Sequence, residues 1–160
     1  MNYIGIDPGL DGGLAYISLD AVVYSTPTIT RTKAKGTKRE YNIQAMRELL
    51  QRIKNQTSVV TCYLESVHAM PGQGVTSMFS MGQGFGIWQG LLAGLQISFE
   101  LVTPQRWKGV MLDGTGKDKE ASRLTALRMF PILSEDLALK KDEGKAEALL
   151  IAAYGKRING

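Results

Sequence analysis

The sequence predicts an α/β protein, a mixed sheet of about five strands flanked by helices. Three observations carry this. The first 25 residues hold short β-rich runs separated by Gly-containing turns, too close together for a parallel crossover of about a dozen residues, so they form an antiparallel meander. Later apolar runs alternate with segments of helical periodicity, which adds further strands and covering helices. Finally, 160 residues with 44% apolar and 21% charged side chains suffice for one core and are too apolar for disorder.

In chain order, Asn2 to Ile6 is the first strand, broken by Asp7-Pro8-Gly9, and Gly12-Gly13 leads into a second strand, Leu14 to Leu19. Val22 to Ser25 is the third. The stretch 27–40 is polar and aperiodic and reads as a mobile loop, with 31–39 its flexible basic part. Asn42 is a natural N-cap for a helix that places Ile43, Met46, Leu49, Leu50 and Ile53 on one face and ends near Asn55. Ser58 to Leu64 is apolar enough for a central strand, with Glu65 at its C-terminal end. A Gly/Pro loop, His68 to Gly74, precedes a helix over 77–95, and Ile97 to Val102 is the last strand. Pro104 opens a short helical segment, Gln105 to Leu112. A helix from Asp118 to Phe130 is stopped by Pro131, and a final helix runs from Glu143 to Lys156. All of this fits one domain over 1–160.

The lone cysteine, Cys62, cannot form an internal bridge, which suits a reducing compartment. The start, MNYIGIDPG, has no leader features, and no apolar stretch of about 18 residues spans a membrane, so a cytoplasmic protein of a bacterial or phage-infected cell is expected. The net charge is +4, yet Arg31, Lys33, Lys35, Lys38 and Arg39 carry five basic charges with no acid among them. The other residues hold 14 basic against 15 acidic side chains, a balance of −1. The excess is one segment, either a solvated loop or an arm that contacts phosphates; on a chain that holds DNA the arm is the favoured reading.

Asp7 and Glu65 each end a strand. If those strands are parallel neighbours, the two carboxylates meet at one edge of the sheet, where open sheets place their sites. Glu147 opens a strongly apolar helical run, where an acid either compensates the helix dipole or joins the other two. A cluster of such acids is costly through mutual repulsion unless hard cations neutralise it. Magnesium suits oxygen ligands, and two ions can activate a water and stabilise the leaving oxygen of a phosphodiester. That is nuclease chemistry.

The residues carrying this chemistry resemble a known family. Ile4-Gly5-Ile6-Asp7-Pro8-Gly9 with Gly13-Leu14-Ala15, then Tyr63-Leu64-Glu65, Gly82-Gln83-Gly84-Phe85-Gly86 and Ala146 to Ala152 look like the RuvC type of Holliday-junction resolvase. Trp107-Lys108, Phe130-Pro131 and Lys140-Lys141-Asp142 bring the likeness nearer to the chloroplast resolvases and their bacterial and phage-like relatives. The resemblance implies an RNase H-like fold, a homodimer, and magnesium-dependent symmetric nicking of four-way DNA junctions, with two Mg2+ per site and Mn2+ as a substitute. It assigns Asp7 and Glu65 to the first two catalytic, metal-holding acids and Glu147 to the last. The bacterial pattern would demand an acid at position 144, where this chain has Gly144. The chloroplast-like pattern instead matches Asp142, five residues before Glu147, with Glu143 the runner-up because Glu143 and Glu147 share a helical face. Lys119 aligns with a lysine kept near the metals, there to hold the scissile phosphate or replace a cation's charge; its plain reading is a surface lysine, while neighbouring Lys117 is expected to contact DNA.

Gly82, Gly86, Gly90 and Gly94 form a bare stripe on the 77–95 helix, each costing about 1 kcal/mol against Ala, so a close neighbour must offset them. That neighbour is the sheet beneath or the same helix of a second subunit. His68 stands where the bacterial relatives carry an aromatic residue that enters the junction; it stacks on a base, assists the attacking water, or is a loop residue without a role. Gln83 and Phe85 resemble the segment contacting bases near the cut. Two rival readings are a related nuclease acting on another branched or hybrid substrate and a non-cleaving branched-DNA-binding protein. The acids at each expected station argue against a binder.

Overall fold

The computed structural model describes residues 1–57 and 59–160. The strands are β1 (Asn2–Asp7), β2 (Gly13–Ile17), β3 (Ala21–Ser25), β4 (Thr28–Thr32), β5 (Thr37–Tyr41), β6 (Val60–Glu65) and β7 (Ser98–Val102). The α-helices are α1 (Ile43–Gln56), α2 (Val75–Gly94), α3 (Pro104–Met111), α4 (Lys119–Met129) and α5 (Glu143–Asn159), with short 3-10 turns at Pro131–Leu133 and Lys140–Asp142. Five strands form a mixed sheet in the order β3-β2-β1-β6-β7. The meander β1-β2-β3 is antiparallel, whereas β1, β6 and β7 run parallel. The expected helices and sheet strands are thus present, with ends shifted by a few residues; the expected start of β6 at Ser58 lies outside the described residues.

The expected loop at 27–40 is instead a second, two-stranded sheet: β4 and β5 pair in a hairpin from Thr28↔Tyr41 to Thr32↔Thr37. Its strands are short, Thr-rich and mostly exposed, so no apolar alternation betrays them. Period-two geometry sorts the side chains. Arg31 opposes Lys38 and shares its face with Glu40, while Arg39 and Tyr41 lie on the other. Tyr41 is buried, its ring lies against Gly84 of α2, and its hydroxyl donates to the Ser80 carbonyl at 2.8 Å. Lys33 and Lys35 are exposed in the connecting turn.

The same period divides the main sheet. Ile4 and Ile6 of β1, with Cys62 and Leu64 of β6, face α1 and α2 and pack with Met46, Leu50, Trp88 and Leu92. Tyr3 and Tyr63 face the opposite side and pack with Trp107, Leu149 and Tyr154 of α3 and α5. Asp7, in step with Tyr3 and Gly5, and Glu65, in step with Tyr63, therefore belong to the α5 side. α5 lies across β1, β2 and β6, and its approach is close. A Cβ on Gly5 would stand 2.1 Å from the Ala148 carbonyl oxygen, and one on Gly144 would stand 2.0 Å from the Asp11 carbonyl oxygen. Only glycine fits at either crossing, which explains why no acid occupies position 144.

Candidate active site

Asp7 and Glu65 end neighbouring parallel strands one step beyond the paired residues Ile6 and Leu64, so the backbone delivers both carboxyls to the same sheet edge. Glu147 reaches them from the second turn of α5 and is buried, as is Asp7. Burial raises the Asp7 carboxyl well above the usual range, and the charges of Glu65 and Glu147 raise it further, against the lowering effect of Lys119 and Lys108. Glu65 is also raised, first by burial; the Trp107 hydrogen bond opposes this, and the charge of Glu147 adds to it. These three acids form one electrostatic unit.

Two lysines offset it. Lys108 of α3 pairs with Glu147 Oε1 at 2.9 Å, and Lys119, at the first residue of α4, stands 3.9 Å from Glu147 Oε2. Burial works against the Lys119 charge, but Asp7, Glu147, Glu143 and Glu65 outweigh it and hold the ammonium above its usual range. Ser122 donates to Glu147 Oε1 at 3.1 Å. Trp107 donates its indole N–H to Glu65 Oε2 at 2.5 Å. With Glu147 held by lysines and Glu65 by an indole, no three acid, histidine or cysteine side chains among the described residues are already drawn into a ligating cluster. The donor set is nonetheless all carboxylate oxygen under mutual repulsion, which fits a hard divalent cation.

Asp142, expected in this group, is held by partners of its own. Its carboxylate accepts from the Leu139 backbone N–H at 2.8 Å and pairs with Lys145 at 2.9 Å. Burial would raise it, but these contacts and Lys141 hold it below the usual range. Glu143, the runner-up, is one of the four acids whose charges hold up the Lys119 ammonium. Position i+3 on α5 makes Lys145 the natural partner of Asp142, and the carboxylate also closes the turn at Leu139.

The expected DNA contacts lie around this edge and on the hairpin. His68 is exposed three residues beyond Glu65, and Gln83 is exposed on α2, whereas Phe85 packs partly against the α1/α2 core. Lys117 is exposed and exchanges hydrogen bonds with Lys108, each ammonium meeting the other's backbone carbonyl at 3.4–3.5 Å. In the hairpin Arg31 pairs with Glu40 at 2.9 Å, Lys38 with Glu40 at 3.7 Å, and Arg39 with Asp11. The glycine stripe of α2 faces outward: a Cβ on Gly82, Gly86, Gly90 or Gly94 would meet nothing within 4 Å, so the sheet is not its neighbour. Val75 and Phe79 extend this face, 84% and 74% exposed.

Lys108 and Trp107 are site residues that periodicity does not single out. The available signal was the pair itself, one of the segments that carry the resemblance.

No protein-family model matches the chain. Over 92 residues, 58% of its length, it is 35% identical to the chloroplastic Holliday junction resolvase MOC1 of Chlamydomonas reinhardtii. The chain spans about a tenth of that relative, 10% of its length. Two solved structures of Thermus thermophilus RuvC are similar over nearly all of both chains. One, in complex with a Holliday junction substrate, has a TM-score of 0.60 at 15% identity, covering 99% of this chain and 96% of that one. The other has a TM-score of 0.56 at 13% identity, covering 99% and 97%. The architecture of this chain is therefore that of the RuvC-type, RNase H-like fold.

Proposed function

We propose that this chain is a structure-specific endonuclease that resolves four-way DNA junctions by divalent-metal-dependent symmetric nicking. The observation carrying the proposal is the convergence of Asp7, Glu65 and Glu147 with Lys108 and Lys119 at the open end of the parallel strands. The name of the chloroplastic relative and the junction-bound RuvC supply the substrate class. Asp7, Glu65 and Glu147 are the residues that would hold magnesium or manganese, which when bound activates a water and stabilises the leaving oxygen.

The remaining roles belong to the chain. Lys108 and Lys119 balance the carboxylates before substrate arrives and are placed to meet the charge of a phosphate once Glu147 turns to a cation. Burial of Asp7 excludes water and strengthens each of these charge interactions. The exposed lysines of the hairpin contact phosphates away from the cut. A second subunit packs on the bare face of α2, where close backbone approach offsets its four glycines and sets two sites in a twofold relation. Among the described residues no helix is long and apolar enough to cross a membrane. A reducing, DNA-containing compartment suits a chain whose single cysteine is buried and free.

The test is cleavage of a synthetic mobile four-way junction with magnesium, wild type against Asp7→Asn. Paired nicks by wild type alone are expected. A wild type that leaves the junction whole while cutting flaps or RNA–DNA hybrids defeats the proposal.

A further inference from the structure

The two tryptophans, Trp88 and Trp107, are both fully buried, and they differ in one atom's surroundings. Trp88, in the core on the α1/α2 side, has an indole N–H with no hydrogen-bond partner among the described residues. Trp107, in the core on the α5 side, directs its indole N–H to Glu65 Oε2. Glu65 accepts no other hydrogen bond and joins no ion pair among the described residues. The next residue along α3, Lys108, holds Glu147, so one short helix grips two of the three acids through adjacent side chains.

The two grips are chemically unlike. An ammonium competes with a cation for the same oxygen and must give way when one binds. A neutral N–H carries no charge for a cation to repel, and a donor bonded to one carboxylate oxygen can stay there while the other oxygen ligates. Such outer donors orient a ligand. The Trp107 ring itself is fully buried, packed in the core with the Lys108 ammonium 5.2 Å from its centroid. We infer that Trp107 is a positioning residue for Glu65, fixing the carboxylate through Oε2 so that Oε1 is the oxygen offered to a divalent cation. The inference rests on the metal-dependent reading of the site and adds to it the residue that presets one ligand.

The experiment compares wild type, Trp107→Phe and Trp88→Phe. The Trp88 substitution removes an indole of equal burial with no carboxylate partner, so it reports the cost of the packing change alone. Calorimetric titration of each DNA-free protein with Mn2+ is read beside single-turnover cleavage of a four-way junction. Trp107→Phe is expected to weaken Mn2+ binding by about 10–100-fold, the usual effect of losing such a donor. It should raise the Mg2+ concentration needed for half-maximal cleavage in parallel and leave junction affinity in chelator at the wild-type value. Trp88→Phe should lower the melting temperature and leave Mn2+ affinity unmoved. If Trp107→Phe melts too low to assay, β-(3-benzothienyl)alanine at position 107 keeps the ring volume and lacks the N–H, and the same loss of Mn2+ affinity is expected. Wild-type Mn2+ affinity in whichever of the two position-107 variants folds overturns the inference. A wild type that binds Mn2+ but cuts no junction, with the affinity loss still seen on removal of the N–H, defeats the nuclease reading and leaves the role of Trp107 standing.

Discussion

The hairpin and the carboxylate edge both concentrate charge, of opposite sign, and the fold handles the two in opposite ways. Arg31, Lys38 and Arg39 lie on a two-stranded ribbon in water, each facing an acid across an exposed or half-exposed pair. Such pairs contribute about 0–1 kcal/mol, so this charge is free to act on something else at little cost to the fold. Asp7, Glu65 and Glu147 are pressed together under α5, where burial and mutual repulsion raise the first two and lysines must balance the third. There the charge is strained against the fold, and the strain is relieved by protonation, by lysine or by a cation. One region can attract a polyanion from a distance; the other can do chemistry at contact.

Removing charge from each region should therefore have different consequences. Asp7→Asn should abolish junction cleavage, by about 10³-fold or more, a loss on the scale seen when a reacting group is removed. Junction binding should survive. Replacing Lys33, Lys35, Lys38 and Arg39 together with Ala should do the reverse. Affinity falls and the slope of log affinity against log salt flattens by up to about 0.9 for each phosphate that is no longer neutralised, while the pre-bound junction is still cut. An unchanged slope would sever the hairpin from DNA binding.

Stability separates the regions again. Because Asp7 is raised in the folded state, the native protein binds more protons than the unfolded chain as pH rises above the ordinary carboxylate pKa of about 4, and stability falls. In chelator, Asp7→Asn should thus melt higher than wild type at pH 8, and the gain should vanish near pH 4. Asp142 has the opposite sign: its lowered pKa contributes stability above the ordinary carboxylate range that is lost as pH falls. Asp142→Asn should melt about 2–4 °C lower at pH 7, equivalent to about 1 kcal/mol for a chain of this size, and the deficit should shrink in acid. Glu143→Gln should change cleavage more than melting, since the Glu143 charge acts on Lys119 rather than on a cap. Smallest of all, Lys38→Ala alone should leave stability within about 0.5 kcal/mol.

The same contrast governs what the residues disclose before folding. Asp7 and Glu65 are legible because each ends an apolar run at a turn or loop, and parallel pairing of two such strands leaves little choice of where their carboxyls go. Glu147 is legible from the apolar stretch that follows it. The hairpin is not, because a ribbon exposed on most of its surface needs no apolar face; its signal lies in Thr28, Thr30, Thr32 and Thr37, and basic residues dilute it. Nor does spacing reveal the partner of Asp142. The resemblance makes it a site acid, and in the structure Lys145, three residues on, pairs with it. Trp107 and Lys108 are legible only through the resemblance and not from periodicity, because their contacts with Glu65 and Glu147 depend on where α3 crosses the sheet edge, a tertiary fact with no local period.

Gly5 and Gly144 bring the main chain of α5 almost into contact with β1 and the turn that follows it. The spacing of the Glu147 and Asp7 backbones is consequently gauged by peptide against peptide, with no packed side chain in between. Repacking the outer faces of α5 would leave that gauge untouched, whereas a single added methyl at position 5 would reset it.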